Sequence, residues 1–559
     1  MFFHFFSARR NVDDNGMKSA NPSGQSPDNI KDTDQRSTKF SRLYFSSDLR
    51  GGMNRFPIIE HNLQKVRGAA MEAAFQDAEK LEKFFGNDSK DNVIVKGSAI
   101  GEMLHVWPLP QYLILKKYAD DLSHKARKSL VRLDKSKGLN IMFIFADESE
   151  SRQTVDASTE ILSSTLEFPS RASCQSKSSE VDYSGIDILH TLIIERLTES
   201  TFLEKLRSTG DDDILLSSSS PPSSRFRSSA GAGLNLKASD PVFDKQEYYR
   251  LTLNGNLAKI EAVTHAGVLH GVRTFSNLLN TYSGRKILHC PVLTLNPIKI
   301  LDYPRFLHRG FLIDSAHHYK SVEFLKRLIF SMGLMKMNTL HWHLTDHQNF
   351  AIEVPGEFTS KFTASQDADT YYNMTDVQAI VEYGRKMGVH VLIEIDIPGH
   401  ALAWEKAYSN MVNVYCKNPI SAPRTFPNCN ANLDPTIENT YFMLKKLFGN
   451  LKKYLPSVNK LLHLGGDEVS FNTWKWSNKL NTWANNVGRV TLEKYDIAHT
   501  HPDGSLLDIP HRLLELFEKR LDEIIKFVFS PDTVIIRWEE IFKPHLFKCC
   551  YFPRENIVV

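Results

Sequence analysis

Two adjacent carboxylates, Asp467 and Glu468, follow an apolar run and two glycines in the segment 460–469, which reads Lys-Leu-Leu-His-Leu-Gly-Gly-Asp-Glu-Val. A buried parallel strand that ends in glycines can deliver acids to the rim of a site, where barrel and open α/β folds place their chemistry. Neighbouring carboxylates repel each other, so one is easily kept protonated near neutral pH, as a general acid requires. Taken alone, the pair is more often a solvated strand-to-helix turn with Glu468 in the first helical turn, because helix N-termini attract acids.

The elements around this pair alternate between strand and helix from residue 304 onward, which favours a parallel sheet. Asp467 ends one predicted strand, and Asp346, Asp396 and Trp538 each end another. The predicted strands are 310–314, 338–346, 389–396, 461–467 and 533–538, and the predicted helices are 322–332, 378–387, 441–454 and 513–527.

The part of the chain before residue 301 divides into two regions. Residues 1–103 are largely polar and are predicted to be mostly disordered, with a helix indicated by apolar spacing within 69–85. Residues 104–300 are predicted to form an α+β domain with a strand at 140–145, a hairpin at 248–263 and an amphipathic helix at 268–279. A flexible insert is expected at about 208–238, where serine and proline are concentrated.

Composition excludes several classes of partner. The net charge of +3 over 559 residues is near neutral, and no basic block favours nucleic acid or an anionic membrane. No apolar stretch approaches the roughly 20 residues of a membrane span, and no signal-peptide core is visible at the N-terminus. Among six cysteines, Cys416 and Cys429 bracket a short loop and could pair in an oxidising compartment.

The motif His463-x-Gly-Gly-Asp467-Glu468 resembles the signature of family 20 glycoside hydrolases, the β-N-acetylhexosaminidases. Further segments resemble the family in the family's order, namely 104–111, 267–275, 308–319, 338–346, 394–400 and 534–542. The resemblance implies an α/β fold class, an incomplete TIM (β/α) barrel preceded by a small α+β domain. Only five of the eight expected strand–helix units are visible, so the barrel at 301–559 is expected to be truncated after about strand five.

The resemblance also implies an activity. Family members remove terminal β-linked N-acetylglucosamine or N-acetylgalactosamine with retention, and the substrate's own acetamido oxygen is the nucleophile, an exception to the two-carboxylate rule. Glu468 would then protonate the leaving oxygen and activate water, while Asp467 would hold the acetamido N–H. One carboxylate would serve the 2-position substituent and the other the glycosidic oxygen, which explains their adjacency.

Four other residues receive roles from the resemblance. Asp346 and His400 match substrate-binding positions, and Asp396 with His400 matches a network that supports the acid. Trp538 matches an aromatic wall of the acetamido pocket. Without the family order, His400 would be assigned a structural role, and plain core remains an alternative for Trp538.

Cofactors and partners follow from the same resemblance. We expect no metal and no organic cofactor, an oligosaccharide or glycoconjugate substrate, and compatibility with a homodimer. The rival is a zinc site at His341-x-His343, whose side chains share one strand face; such a site needs histidines from later strands, and 533–538 offers none. The family is lysosomal or secreted.

Two departures from the family favour a second hypothesis. His317 stands where the family carries an arginine that grips sugar hydroxyls, and His347 stands where relatives often carry a second aspartate. Histidine offers fewer donors than arginine and a different geometry. The alternative is therefore a catalytically impaired or inactive family fragment that acts as a carbohydrate-binding or interaction protein.

Overall fold

A computed structural model describes the protein, and Phe40–Val559 form one compact unit. The described residues are 41–44, 92–96, 112–116, 131–132, 139–146, 151–165, 187–208, 247–283, 292–293, 298–304, 306–355, 362, 370–419, 423, 425–455, 461–497, 508–530, 533–542 and 557–558. The motif at 104–111, the helix expected within 69–85 and nearly all of the insert at 208–238 lie outside them.

An eight-stranded mixed sheet organises the first half of the described chain, in the order β1-β5-β7-β9-β8-β11-β3-β2. The predicted strand at 140–145 and the predicted hairpin are both confirmed, since β8 and β9 pair antiparallel around Gly255. The strands are β1 Ser41–Tyr44, β2 Asn92–Lys96, β3 Tyr112–Lys116, β5 Asn140–Phe145, β7 Thr191–Arg196, β8 Tyr249–Asn254, β9 Leu257–Ala262 and β11 Ile298–Asp302. The short strands β4 Val131–Arg132, β6 Asp187–Ile188 and β10 Val292–Leu293 form a separate three-stranded sheet.

Helix α3, His265–Ser283, packs on this sheet beside α1, Ser151–Thr165. Its apolar residues at helical spacing, Val268, Leu269, Val272 and Phe275, are all buried, so the predicted amphipathic helix is confirmed. A shorter helix, α2 at Glu199–Ser208, follows β7. The hydrophobic core is continuous from this region into the second half of the chain.

The second half contains the predicted parallel sheet, with the order β12-β13-β14-β17-β18-β19. Each predicted strand is present, but all except the first are shorter than expected, and Asp346, Asp396 and Asp467 lie beyond the observed strand ends. Among the described strands the sheet is not closed, and β12 and β19 lie at its edges. The strands are β12 Gly310–Asp314, β13 Thr339–His343, β14 His390–Glu394, β17 Leu461–His463, β18 Val534–Ile536 and β19 Ile557–Val558.

Four long helices connect these strands, and three have a side-chain N-cap. Ser321 caps the first, a reciprocal box of Asn373 and Asp376 caps the second, and Asp508 caps the fourth. The third carries buried Leu444, Leu447, Phe448 and Leu451 along one face, as its spacing predicts. They are α4 Val322–Leu334, α5 Met374–Lys386, α7 Glu438–Tyr454 and α11 Ile509–Val528.

Smaller elements lie between β14 and α11. A hairpin of β15, Val412–Cys416, and β16, Cys429–Leu433, is closed by a disulfide between Cys416 and Cys429, the pair that the sequence suggested. The short helices are α6 Leu402–Tyr408, α8 Phe471–Lys475, α9 Asn478–Asn485 and α10 Gly488–Lys494, with a 3₁₀ turn at Ser409–Met411. A second 3₁₀ turn, Glu539–Phe542, follows β18. Among the described helices, none combines the length and the apolar character needed to cross a membrane.

Candidate active site

Parallel register places one row of polar side chains across the carboxyl ends of the strands. Asp314 lies beside His343, His343 beside Glu394, and Glu394 beside His463. This is the edge of a parallel sheet at which α/β enzymes carry their chemistry. The loops that leave the same edge contain Asp346, Asp396, His400, Asp467 and Glu468.

Glu394 is the centre of this row and has no exposed surface. Its Oε2 accepts hydrogen bonds from His341 Nε2 at 2.7 Å and from His343 Nδ1 at 3.0 Å. Its Oε1 accepts from Trp538 Nε1 at 2.9 Å and lies 3.2 Å from His463 Nδ1. Burial acts to raise the pKa of the Glu394 carboxyl, but the three histidines outweigh burial and hold the pKa well below its ordinary value.

A chain of charged side chains runs outward from Glu394 to the exposed acid. His343 Nε2 lies 3.3 Å from Asp346 Oδ2, and His400 Nδ1 lies 2.9 Å from Asp346 Oδ1. His400 Nε2 then lies 3.9 Å from Glu468 Oε2. Asp346, His400 and Glu468 are therefore consecutive members of this chain of charges. The fold thus brings together three residues that the sequence analysis assigned to the site.

The protonation states along the chain follow from the carboxylates around it. Burial alone would lower the pKa of His400, but the bond to Asp346 and the nearby carboxylates raise that pKa to about 9. The same competition raises the pKa of His343 to about 11 through Asp346 and Glu394. For Asp346, burial is outweighed by hydrogen bonds from these two histidines, so its pKa is strongly lowered. At neutral pH two imidazolium cations thus flank one carboxylate.

The acid loop, which we define as residues 464–468, has an unusual backbone. Gly465 and Gly466 have φ of 57° and 98°, and Glu468 has φ of 49°. A Cβ on Gly465 would collide with the carboxyl of Asp396, so this position requires glycine for both conformation and space. The alternative interpretation of the acid pair placed Glu468 in the first turn of a helix. The structure does not, because the next helix, α8, begins only at Phe471.

Asp396, predicted to support the acid, lies beneath this loop and is 1% exposed. Its Oδ1 accepts from the N–H of Gly466 at 2.8 Å, and its own N–H donates to Thr345 Oγ1 at 2.9 Å. Burial raises the pKa of Asp396 well above its ordinary value, and the charges of Asp467 and Glu394 act in the same direction although His400 opposes them. Asp396 therefore holds the acid loop from a buried position crowded with other carboxyl groups.

Two buried polar atoms at this site have no hydrogen-bond partner within the described part of the chain: Asp467 Oδ1 and His400 Nε2. Unpaired buried polar atoms are rare and costly in folded proteins, and each calls for a ligand, a water or an ion. The side chain of Glu468, which follows Asp467 in the chain and lies 3.9 Å from His400 Nε2, is 69% exposed. The site therefore presents an acceptor, an acid and a cation to whatever binds there.

Trp538 lies on the other side of Glu394 from this chain. Its ring stacks on His341 at 5.6 Å between centroids and meets His463 edge-on at 5.0 Å. Trp538 is half-buried, so one part of the ring contacts the network and another part remains accessible. This position is compatible with the predicted wall and is not that of a fully buried core residue.

The two departures from the family also lie at the site. His317 Nδ1 pairs with Asp314 Oδ2 at 2.6 Å and is 3.8 Å from Asp346 Oδ2. His347 is buried and its ring lies 4.9 Å from that of His400. Burial and the charge of His400 lower the pKa of His347 to about 4, so it is neutral beside the cation.

Sequence reasoning missed the role of Glu394 and of the histidine that links it to Asp346. Both were visible as members of motifs, Glu394 opening 394–400 and His343 closing His-Trp-His, but neither was assigned to the acid's support. The signal that could have found them is register, because parallel strands of matched length place His343 beside Glu394.

The structure offers the alternative zinc site more candidate ligands than the sequence suggested. The strand at 533–538 contributes no histidine, but β17 contributes His463, which converges with His341 and Glu394. Hydrogen bonds nevertheless occupy these atoms: His463 Nδ1 accepts from the N–H of Gly465 at 3.1 Å, and His341 bonds directly to Glu394. The rings of His341 and His463 also contact each other directly, with centroids 4.4 Å apart and planes tilted by 38°. The arrangement fits a hydrogen-bonded network better than a metal centre.

Comparison with known proteins finds one family model and several relatives that match part of the chain. The model described as "Glycosyl hydrolase family 20, catalytic domain" matches residues 306–559. This part of the chain is therefore similar to the catalytic domain of that family. Among relatives of this family, Beta-hexosaminidase 3 of Arabidopsis thaliana is 33% identical over 333 residues, covering 56% of this chain and 54% of that protein. Beta-hexosaminidase subunit beta of Homo sapiens is 30% identical over 319 residues, covering 54% and 52%.

A solved family 20 structure shows a similar fold over a larger part of the chain. The chitobiase of Flavobacterium johnsoniae aligns with a TM-score of 0.53 and 21% identity, covering 82% of this chain and 56% of that one. The chain thus spans about half the length of the curated relatives it matches. The mixed α/β fold is consistent with that family, whereas the incomplete TIM (β/α) barrel stays a prediction.

Proposed function

We propose that this chain is a family 20 β-N-acetylhexosaminidase that removes terminal β-linked N-acetylglucosamine or N-acetylgalactosamine. The observation that carries the proposal is the adjacency of two differently placed carboxylates. Asp467 has a buried oxygen without a partner in the described chain, while Glu468 is exposed and faces the cation of His400. Such a pair suits a reaction that must hold an amide N–H and protonate an oxygen beside it.

In the proposed first step, Glu468 donates its proton to the glycosidic oxygen while the acetamido oxygen of the substrate attacks the anomeric carbon. The bond between that carbon and the leaving oxygen breaks, and an oxazolinium intermediate carries the positive charge. Asp467 accepts the hydrogen bond of the acetamido N–H and offsets this charge. In the second step Glu468 takes a proton from water, which opens the intermediate with overall retention.

The remaining charged residues would position this chemistry. Asp346 orients His400, whose imidazolium offsets the negative charge of Glu468 after it has given up its proton. Asp396 shapes the turn by accepting a hydrogen bond from the N–H of Gly466. Trp538 offers an apolar surface for the acetamido methyl group.

The disulfide indicates the kind of cellular compartment in which this chain would act. A disulfide between Cys416 and Cys429 supports a lysosomal or secreted location, because such bonds persist in oxidising environments. The glycan substrates proposed for this chain would be met in the same places.

One observation favours a second function, a carbohydrate-binding protein with impaired or no catalysis. His317, at the position where the family carries a sugar-gripping arginine, is engaged with Asp314, and its side chain is 39% exposed. Losing a charge-assisted contact of this kind costs roughly 1.5–3 kcal/mol. Such a protein would bind a glycan without turning it over.

The deciding experiment is an assay of the purified chain on an aryl β-N-acetylglucosaminide, beside Glu468→Gln and a remote surface control, Glu382→Gln. We expect turnover in the wild type and the control, and a loss of about 10³-fold or more in Glu468→Gln, because the variant cannot donate a proton. Nuclear magnetic resonance of the first-formed sugar should show the β-anomer. Equal rates in all three proteins, with glycan binding intact, would favour the second function.

A further inference from the structure

The segment 537–541, which follows β18, holds the acid loop through the backbone. The N–H of Trp538 donates to the carbonyl of Gly465 at 3.1 Å, and the Arg537 guanidinium donates to the carbonyl of Leu464. Ile541 closes over Gly466 so tightly that an added Cβ there would lie 2.7 Å from its Cγ1. These contacts fix the start of the loop, and they end before Glu468.

Glu540 extends this support to the proposed acid itself. Its Oε2 accepts a hydrogen bond from the backbone N–H of Glu468 at 2.6 Å. Glu468 has φ of 49°, a left-handed conformation that is unfavourable for a residue with a side chain and persists only where the surroundings impose it. A short charge-assisted bond to that residue's own N–H supplies such a constraint.

The backbone matters at this residue because its side chain is largely in solvent. With 69% of the Glu468 side chain exposed, packing does little to direct its carboxyl. Glu540, by contrast, lies in the 3₁₀ turn Glu539–Phe542, whose Ile541 is 2% exposed within a cluster that includes Trp474 and Leu513. Glu540 is therefore held in place by a packed 3₁₀ turn, and its carboxylate binds the backbone of Glu468, whose conformation is strained.

We propose that Glu540 is a positioning residue for the glycosidase reaction, and this inference rests on the proposed function. Its carboxylate holds Glu468 in the left-handed conformation that turns the acid toward the glycosidic oxygen and toward His400. Glu540 does not contact the reacting atoms in this role. Its contribution is the fixed direction of the acid, on which effective molarity depends.

The test compares three substitutions at this position with the remote control Glu382→Ala. Glu540→Ala removes the acceptor, Glu540→Asp keeps the charge but shortens the side chain, and Glu540→Gln keeps an acceptor oxygen at the same reach. Two readouts apply to each protein: kcat and KM on the aryl β-N-acetylglucosaminide, and hydrogen–deuterium exchange of the Glu468 amide in a peptide covering 466–471. The exchange measurement needs no turnover.

We expect kcat to fall by roughly 10- to 100-fold in Glu540→Ala and Glu540→Asp, because a displacement on the order of 1 Å has effects of that size. KM should change by less than about threefold, since the acid does not hold the ground-state sugar. The Glu468 amide should exchange faster in the same two variants. Glu540→Gln should recover most of both properties, and Glu382→Ala should match the wild type.

Several results would overturn the proposal. Unchanged exchange at Glu468 in Glu540→Ala and Glu540→Asp would show that the bond does not constrain this residue. If the wild type is active and these two variants show faster exchange with an unchanged kcat, the constraint does not serve catalysis. A wild type that exchanges as expected but turns nothing over would instead sink the proposed function, while the hydrogen bond itself would stand. If Glu540→Ala fails to fold, the other two variants carry the same distinctions.

Discussion

Two buried histidine–carboxylate pairs in this protein look alike and are in opposite protonation states. At the active-site edge, His400 lies 2.9 Å from Asp346, and the pKa of the imidazole is raised to about 9. Where the α+β region meets the parallel sheet, His270 lies 2.6 Å from Glu247, and the pKa of the imidazole is lowered to about 4. One ring is a cation at neutral pH and the other is neutral.

The second nitrogen of each ring explains the difference. His270 Nδ1 lies 3.2 Å from Arg273 Nη1, which can only donate, so that nitrogen must keep its lone pair. His400 Nε2 faces the carboxylates of Asp396 and Glu468, each at 3.9 Å. Burial lowers both pKa values, and the surrounding charges decide which ring overcomes it.

The two regions therefore use buried charge for different ends. At the interface, Glu247 accepts from His270, from Asn338 at 3.3 Å and from Arg309, so its lone pairs are used within the protein. At the active-site edge, Asp467 and His400 retain atoms that no described residue pairs with. Internally satisfied charge fixes the relative position of two regions, whereas unsatisfied charge awaits a ligand.

Replacing Asp346 with alanine should break the catalytic side of this comparison and produce the largest effect. His343 and His400 would each lose their shared carboxylate, and His400 would no longer be held toward Glu468. We expect kcat on the aryl β-N-acetylglucosaminide to fall by about 10³-fold, with circular dichroism showing a folded protein. Asp346→Asn, which keeps one acceptor oxygen, should lose less. A kcat within twofold of the wild type would contradict a role for this chain of charges.

Replacing Glu247 with alanine should instead act on stability. Removal of this carboxylate leaves the Arg309 guanidinium without its charge partner near a buried histidine, and breaking a buried pair in this way costs roughly 3–5 kcal/mol. Urea unfolding measures the loss, with the exposed Glu382→Ala as the matched control. The kcat of the folded fraction should stay within twofold. A stable Glu247→Ala protein with impaired catalysis would show that Glu247 serves the reaction and not stability.

The free energy of unfolding should depend on pH differently for the two histidines. Each should contribute a change on the order of 3 kcal/mol. The folded pKa of His400 is raised, so its contribution is fully present below the unfolded value of about 6.5 and is lost as pH rises through about 9. The folded pKa of His270 is lowered, so its penalty grows as pH falls from about 6.5 toward about 4.

Thermal unfolding of the wild type, His400→Asn and His270→Asn between pH 4 and pH 10 measures both slopes. His400→Asn should flatten the alkaline slope only, and His270→Asn should flatten the acidic slope only. A single variant that removed both slopes would show that the two networks titrate as one unit.

Much of the fold could be predicted from local pattern. The hairpin around Gly255, the helix carrying Val268 to Leu279 and the five parallel strands all follow from short-range periodicity and turn residues, which act within a few residues of chain. The strand ends could not be predicted, because Asp346, Asp396 and Asp467 continue an apolar pattern that the sheet itself abandons. Where pairing stops depends on the neighbouring strand and not on the strand alone.

For the site, the sequence by itself determined which side chains are available and which of them follow a strand: Asp346, Asp396, His400, Asp467 and Glu468. The sequence indicated that the glycines at 465 and 466 permit close approach of a ligand, and the structure shows that Asp396 and Ile541 approach them closely. Only the tertiary structure decided that Glu394 joins three histidines, that Glu540 reaches the N–H of Glu468, and that His400 is charged while His270 is neutral. Hydrogen-bond partners and local electric fields come from residues far apart in the chain, so no local pattern of residue types encodes them.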